Sequence, residues 1–286
     1  MSPAVKTNRP LMPARRADYL VSGRDTLKAT LACGQFAPAA GDIPQNIRTM
    51  QSLARRAASA GATVLVLPEL CLCGYPPAAH ARAWSVRVDG PELAELAACA
   101  RENTLALCFG FAERGDDGSL RNSAAYLDSE GALKAVYRKV HLWVTEKEWA
   151  VPGSSFAPLA DGGLRIGMWI CYDTRFPEVG RTVARAGATI GLSGAAWFGP
   201  ADEWELAVRS RAMDNGIYVA GASVLGSFGG APFRGTSLIV NPHGRVLARA
   251  PEGVEAVITA AYDEAEVTSF AARLPLLGDL RPEAYA

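Results

Sequence analysis

Apolar segments of two kinds alternate along most of the chain. Residues 45–61 (QNIRTMQSLARRAASAG) place apolar side chains at helical spacing, and Gly61 stands where such a helix would end. Residues 62–70 (ATVLVLPEL) are instead a nearly continuous apolar run, which is typical of a strand buried on both faces. Residues 105–113 (LALCFGFAE) have the same character. The first third of the chain therefore predicts strands separated by helices.

The alternation continues to the end of the chain, with hairpins between some of the apolar runs. Two β-hairpins are predicted, one turning at Asp128–Gly131 and one at Asn241–Gly244. Strands and helices in this order indicate the α/β class, with a mixed sheet covered by helices. The remaining predicted strands are residues 27–36, 164–173, 188–197, 217–224 and 255–263, and the remaining predicted helices are residues 91–103, 176–188, 200–216 and 263–274.

Length and local composition predict one domain behind a short arm. A chain of 286 residues is long enough for a sizeable core, and no repeat or linker divides it. Residues 1–28 are rich in Arg, Pro and Ala and show no periodicity. We therefore expect a disordered or loosely packed N-terminal arm over residues 1–28 and a single domain over residues 29–286.

Charge and cysteine content narrow the classes of partner. The 29 basic residues balance the 29 acidic ones, so nothing in the charge indicates a nucleic-acid partner. No apolar run has transmembrane length and no signal peptide is evident, which argues against a membrane partner. The six cysteines lie mostly in apolar runs, as buried free thiols do, which predicts the reducing cytoplasm. A net charge near zero resists self-association only weakly, so a homo-oligomer is compatible with the composition.

In three places a reactive side chain lies at or just beyond an apolar segment. Glu69 follows VLVLP, Lys139 lies in VYRKVHLW, and Cys171 ends GMWIC before a turn. The ends of strands are where α/β proteins usually build their sites. Taken singly, each residue has an ordinary structural explanation, namely a solvated carboxylate, a solvated hairpin lysine and a buried thiol. Taken together, the three point to one site.

The three strings, in this order, resemble those of the nitrilase, or carbon–nitrogen hydrolase, superfamily. LPEL with the downstream GY resembles the family's glutamate motif at Glu69, YRKVHL its lysine motif at Lys139, and ICYDTRFPE its nucleophile motif at Cys171. The family's second glutamate, which supports the lysine, matches Glu146, with Glu148 as the alternative. The resemblance covers nearly the whole predicted domain. It implies a four-layer α-β-β-α sandwich of the nitrilase type that commonly forms a homodimer.

These residue types suit the hydrolysis of an amide, and the reaction requires no cofactor and no metal. A thiolate is a strong nucleophile, but a free cysteine has a pKa near ~8.5, so its proton needs a base. Glu69 can accept that proton, and Lys139 can stabilise the resulting negative charge. Lys139 and the backbone N–H of Tyr172 are the candidate donors to the oxyanion. The expected partners are therefore a small-molecule amide and water, with ammonia as a product.

Further residues are candidates for substrate binding. Arg175 is either a clamp for a substrate carboxylate or one half of a structural ion pair with Glu178 or Asp173. Trp197 follows the next predicted strand, where the family often lines its acyl pocket, and a core aromatic is the alternative. Tyr75 is a weaker candidate of the same kind. The side chain of Tyr172, which follows the nucleophile, is another candidate.

The branch of the family is indicated by two strings. Tyr172–Asp173 after the nucleophile resembles the amidase and carbamoylase branches, whereas nitrilases proper more often carry Trp-Glu there. Residues 199–215 (GPADEWELAVRSRAMDN) resemble the omega-amidase and deaminated glutathione amidase branch. The resemblance therefore implies small amides, favours those that carry a carboxylate, and leaves hydrolysis of N-carbamoyl amino acids or amines as the alternative.

Several rival interpretations rest on weaker patterns. Cys71 and Cys73 form a Cys-x-Cys pair, but no second ligand pair follows at zinc-like spacing. Residues 153–155 (Gly-Ser-Ser) lack the flanking glycines and the Ser-x-x-Lys partner of serine amidases. An acyltransferase on the same fold would use an amine in place of water, and a non-catalytic scaffold would not need Glu, Lys and Cys together. Hydrolysis is therefore the favoured interpretation.

Overall fold

Strands and helices alternate through residues 26–285, the part of the chain that a computed structural model describes. The first strand begins at Lys28, so most of the predicted arm lies outside the described residues and the division into arm and domain stays a prediction. The strands are β1 (Lys28–Gln35), β2 (Val64–Val66), β3 (Ala106–Arg114), β4 (Leu120–Leu127), β5 (Leu133–Arg138), β6 (Leu159–Asp161), β7 (Leu164–Ile170), β8 (Ile190–Ala195), β9 (Tyr218–Ser223), β10 (Leu225–Phe228), β11 (Ala231–Arg234), β12 (Leu238–Val240), β13 (Val246–Arg249) and β14 (Ala256–Asp263). The helices are α1 (Ile43–Ser59), α2 (Ala78–Ala81), α3 (Pro91–Asn103), α4 (Pro177–Arg185), α5 (Ala201–Met213) and α6 (Glu264–Arg273).

Two six-stranded mixed sheets form the centre of the fold. The first has the order β14-β1-β2-β3-β4-β5, and the second has the order β13-β12-β9-β8-β7-β6. In each sheet three neighbouring strands are parallel, β1-β2-β3 in one and β7-β8-β9 in the other, and the flanking pairs are antiparallel. Parallel pairs need helical crossovers and antiparallel pairs need only hairpins, which explains the alternation seen in the sequence.

Helices cover the outer face of each sheet and the inner faces pack together. In β2, Val64 and Val66 belong to the core between the sheets, whereas Leu65 packs with α1 and α3 outside. This alternation follows from the two-residue period of a strand. Helices α4 and α5 cover the second sheet with apolar residues such as Val183 and Trp204. The arrangement is the α-β-β-α sandwich that the resemblance implied.

The structure differs from the sequence prediction in its small elements. The two-stranded sheet β10–β11, the short strand β6 and the four-residue helix α2 were not predicted. Each has four residues or fewer, too few to display a period. Among the described residues, none of the helices combines the length and the apolar composition needed to cross a membrane.

Candidate active site

The predicted site residues meet where strands of the two sheets end. Glu69 lies three residues after β2, Lys139 directly follows β5, and Cys171 directly follows β7. Two glycines let the backbone at Glu69 pass between the sheets. A Cβ at Gly110 would lie 2.7 Å from the Glu69 Cα, and one at Gly194 would lie 2.8 Å from the Glu69 nitrogen. Any larger residue at either position would displace the Glu69 segment.

A cluster of two carboxylates and two donors forms the floor of the site. The Lys139 Nζ donates to Oε1 of Glu69 at 2.6 Å and to Oε1 of Glu146 at 2.7 Å. The Asn122 Nδ2 donates to the same two oxygens, at 2.7 Å and 3.0 Å. All four side chains are buried. Charged groups removed from water need such partners, and here each carboxylate has at least one ionic and one neutral donor.

Glu146 rather than Glu148 occupies the supporting position. Glu146 is fully buried, whereas Glu148 is exposed. The Tyr75 hydroxyl donates to Oε1 of Glu146 at 3.0 Å, and the Trp143 backbone N–H donates to Oε2 at 2.8 Å. Tyr75 therefore contacts the charged cluster, and its substrate-binding role stays a prediction.

Cys171 occupies a strained turn at the end of β7. Its φ is +45°, a left-handed conformation that is uncommon for a residue with a side chain. The 3-10 turn Cys171–Arg175 continues directly from the strand. The Asp173 carboxylate accepts from the backbone N–H of Ile170 at 3.1 Å and from the Tyr137 hydroxyl at 2.6 Å. These contacts hold the turn in a conformation that the backbone alone would disfavour.

Asp173 also ties this turn to the segment that carries Lys139. Its second carboxylate oxygen accepts from the backbone N–H of His141 at 2.9 Å and lies 2.8 Å from the Nδ1 of the same residue. The His141 ring stacks on Phe176 with ring centroids 3.7 Å apart. Asp173 is therefore bonded at both oxygens within this framework and is not the ion-pair partner of Arg175.

The backbone of Ala196 contacts both Glu69 and the Cys171 thiol. The backbone N–H of Ala196, which follows β8, donates to Oε2 of Glu69 at 2.6 Å. The carbonyl of the same residue accepts from the Cys171 Sγ at 3.6 Å, and the Glu69 carboxylate is near enough to the thiol to raise its pKa. The sulfur, the carboxylate and the ammonium therefore form one buried constellation.

Burial and the mutual fields of these groups set their protonation. Burial and the neighbouring Glu146 raise the pKa of Glu69 to about 7, although Lys139 and Asn122 act in the opposite direction. Burial and the Glu69 charge raise the pKa of Cys171 well above its ordinary value. Burial also opposes the ionisation of Glu146 and Lys139. Attraction to Lys139 outweighs burial and lowers the pKa of Glu146, and attraction to Glu69 and Glu146 outweighs burial and raises the pKa of Lys139. The resting site thus holds a neutral thiol beside a carboxyl that titrates near neutrality.

A small cavity, with a volume of about 20 Å³, opens over the sulfur. Drug-sized ligands occupy pockets of roughly 300–1,000 Å³, so this one suits a smaller molecule. Arg175 lines it with its guanidinium 4.6 Å over the Trp197 ring and forms an ion pair with Glu203. The predicted pairing with Glu178 or Asp173 was wrong, because helix α5 brings Glu203 closer. The lining residues are Trp143, Cys171, Tyr172, Arg175, Trp197 and Phe198.

The cysteines outside this site are buried free thiols. Within residues 26–285, no group of three or more His, Cys, Asp or Glu side chains is placed to hold an ion. Cys71 and Cys73 are buried free thiols whose pKa is raised by burial. The Cys-x-Cys pair is therefore part of the core.

Sequence reasoning missed the neutral members of the site. Asn122 and the backbone of Ala196 touch Glu69 directly, yet neither belongs to the strings that carried the resemblance. Asn122 opens the apolar strand segment NSAAYL, and a polar residue at the start of a buried strand was the available clue. Tyr137, which donates to Asp173, opens the YRKVHL string, but the resemblance assigned it no role.

Comparison with known proteins gives a consistent result. A family model described as carbon–nitrogen hydrolase matches residues 30–272. An omega-amidase from Homo sapiens is 32% identical over 254 residues, which is 84% of this chain and 91% of the relative. A deaminated glutathione amidase from Homo sapiens is 34% identical over 263 residues, which is 85% of this chain and 80% of the relative.

Solved structures agree with the sequence comparison. An amidase from Nesterenkonia sp. superposes with a TM-score of 0.81 at 28% identity, covering 90% of this chain and 95% of that one. A structure of a variant of the amidase from Nesterenkonia sp. AN1 shows covalent addition of the acetamide moiety of fluoroacetamide at the active-site cysteine.

Proposed function

The chain belongs to the carbon–nitrogen hydrolase family, and we propose that it hydrolyses a small linear amide through a thioester on Cys171, releasing ammonia. The observation that carries this proposal is the constellation of Cys171, Glu69 and Lys139, buried together beneath one small cavity. A thiol, a base and a cation in contact are what acyl transfer from an amide requires. Glu146 takes the supporting role, because it holds Lys139 from the other side.

The first half of the reaction forms the thioester. Because the thiol is neutral at rest, its proton moves to Glu69 as the sulfur attacks the amide carbonyl carbon. An ammonium has three N–H bonds, and Lys139 uses two of them on Glu69 and Glu146. The third, with the backbone N–H of Tyr172 in the first turn of the 3-10 helix, stabilises the oxyanion. Glu69 then gives its proton to the leaving nitrogen, the C–N bond breaks, and ammonia departs.

The second half returns the enzyme to its starting state. Glu69 takes a proton from water, whose oxygen attacks the thioester carbonyl. The C–S bond breaks, and the same proton returns from Glu69 to the Cys171 sulfur. The net reaction consumes one amide and one water and yields one carboxylic acid and one ammonia. A carboxyl with a pKa near neutrality suits this role, because it must both accept and donate a proton in each half.

Within this class, we propose that the acyl group is short and that a carboxylate-bearing amide is the favoured substrate. The small cavity supports the first part, and Arg175 in its wall supports the second. Tyr172 and Trp197 supply the aromatic walls against which an acyl chain would pack. Glu203 competes for Arg175, so a substrate carboxylate would have to displace or share that ion pair.

The assembly and compartment are also proposals. We expect a homo-oligomer in the cytoplasm, and the free thiols of the described residues support a reducing compartment. Light scattering of the purified protein would give the oligomeric state.

The experiment that tests the function is ammonia release from small amides, N-carbamoyl amino acids and nitriles. We expect amides to be the substrates and the Cys171→Ala variant to release none above background. Cys33→Ala is the matched control, because Cys33 is an equally buried thiol on β1, outside the site. Ammonia release that survives in Cys171→Ala, or that is lost equally in Cys33→Ala, would contradict the proposal. Ammonia from the carbamoyl compounds alone would move the assignment to the carbamoylase alternative.

A further inference from the structure

We propose that Asn122 is a positioning residue of this site, whose side-chain amide holds the Glu69 and Glu146 carboxylates in register around Lys139. The inference rests on the proposed function, in which Glu69 acts as the base. Asn122 is not among the residues that line the cavity over Cys171, so it would act through Glu69 and not on the substrate.

Asn122 donates hydrogen bonds to the same two carboxylate oxygens as Lys139. Asn122 and Lys139 each donate to Oε1 of Glu69 and to Oε1 of Glu146, over distances of 2.6 to 3.0 Å. Their backbones are bonded as well, because the Lys139 N–H donates to the Asn122 carbonyl at 2.9 Å. The pairing of β4 with β5 therefore fixes the positions of the two donors relative to each other. Together they hold the two carboxylates, which repel each other, at a fixed separation.

A neutral donor performs a task here that a second cation could not. Without Asn122, Lys139 would be left as the donor that bridges the two carboxylate oxygens, and it must also keep one N–H for the oxyanion. Another cation would hold both carboxylates but would depress the pKa of Glu69 far below neutrality. An amide fixes the Glu69 oxygen while leaving the residue able to accept and return a proton near neutral pH.

The side-chain oxygen of Asn122 also supports a functional role for this residue. The Asn122 Oδ1 is buried and has no hydrogen-bond partner among the described residues. A buried acceptor without a partner is unfavourable, so stability alone does not account for an asparagine at this position. Rotating the amide would place this oxygen against two carboxylates, which fixes the orientation in which the nitrogen donates.

The decisive variant is Asn122→Leu, which keeps the branched shape and removes the donor. The titratable groups facing Glu69 are Lys139, Glu146, Cys171 and Tyr75, and all remain in this variant. We expect kcat/KM to fall about 10- to 100-fold, the usual effect of losing a hydrogen bond to a charged group. We also expect the acidic limb of the pH profile of kcat/KM to move upward by about one pH unit, because ionised Glu69 loses a donor.

A matched control lies at the next residue. Ser123 is equally buried on β4, but its hydroxyl donates to Glu113 outside the site, at 2.6 Å. Ser123→Ala should leave the acidic limb in place and change kcat/KM by less than about threefold. If Asn122→Leu loses activity with an unmoved pH profile, or behaves like Ser123→Ala, the positioning role is overturned. If Asn122→Leu does not fold, Asn122→Ser is judged by the same two criteria.

A second readout separates this inference from the proposed function. The rate at which fluoroacetamide alkylates Cys171 can be followed against pH by mass spectrometry, without any turnover. Because Glu69 takes the thiol proton, the Asn122→Leu variant should show the same upward shift in this profile. If the wild type releases no ammonia but Asn122→Leu shows the shift relative to it, the proposed function alone is contradicted. A protein that releases ammonia but shows no shift would overturn the role of Asn122 alone.

Discussion

Replacing Lys139 with methionine should destabilise the protein strongly and in a pH-dependent way. Lys139 is buried and lies 2.6 Å and 2.7 Å from oxygens of Glu69 and Glu146. Methionine fills much of the same volume but leaves two buried carboxylates without their cation. Removing one partner of a buried ion pair costs about 3–5 kcal/mol, and here one cation serves two anions, so we expect the upper part of that range.

The sign of the pH dependence follows from the same contacts. Without Lys139, the folded-state pKa values of Glu69 and Glu146 would lie above their unfolded value of about 4.3. The folded state then takes up protons as the pH falls, which removes the buried charge. The deficit in the free energy of unfolding relative to wild type should therefore have its full size at pH 8 and be smaller at pH 5.5.

Urea or guanidinium unfolding at the two pH values measures this directly. Lys147→Met is the matched control, because Lys147 lies exposed in the same segment and the chemical change is identical. It should alter the free energy of unfolding by no more than about 0.5 kcal/mol. A Lys139→Met variant that is no less stable than Lys147→Met, or whose deficit is equal at both pH values, would refute the electrostatic account of the site.

Other predictions concern activity. Below about pH 7, wild-type kcat/KM should fall about tenfold per pH unit, because Glu69 titrates there and must be ionised, and a flat profile down to pH 5 would contradict this role. Tyr75→Phe removes a donor to Glu146 and should lower steady-state kcat/KM about tenfold without unfolding the protein, whereas unchanged kinetics would show the contact to be dispensable. Glu203→Gln frees Arg175 and should raise kcat/KM for a carboxylate-bearing amide about tenfold relative to its neutral isostere, and an equal change for both would exclude Arg175 as a carboxylate ligand.

The fold was largely predictable because its long elements carry clear periods. The strand predicted over residues 62–70 and the helix predicted over residues 45–61 correspond to β2 and α1. The strings around Glu69, Lys139 and Cys171 are local, and each of these residues lies within three positions of a strand end. Their sequence context was therefore enough to place them at one edge of the sandwich.

What the sequence could not supply depends on contacts between distant elements. Glu203 reaches Arg175 because α5 packs beside the turn after β7, and no local pattern encodes that distance. Asn122 meets Glu69 across 53 positions of sequence, through the pairing of β4 with β5 and β3. The contact between the Tyr75 hydroxyl and Glu146 was not predicted either, because it depends on the packing of the Tyr75 ring against Phe198 and Phe228.

The central claim, a thioester on Cys171, is tested most directly by mass spectrometry of protein quenched in acid during turnover of a small amide. The account predicts a mass increase equal to the acyl group, located by peptide mapping on Cys171. The five other cysteines, which are buried and have raised pKa values, should stay unmodified. An acyl group on any other residue, or an adduct that persists in the Cys171→Ala variant, would contradict the account.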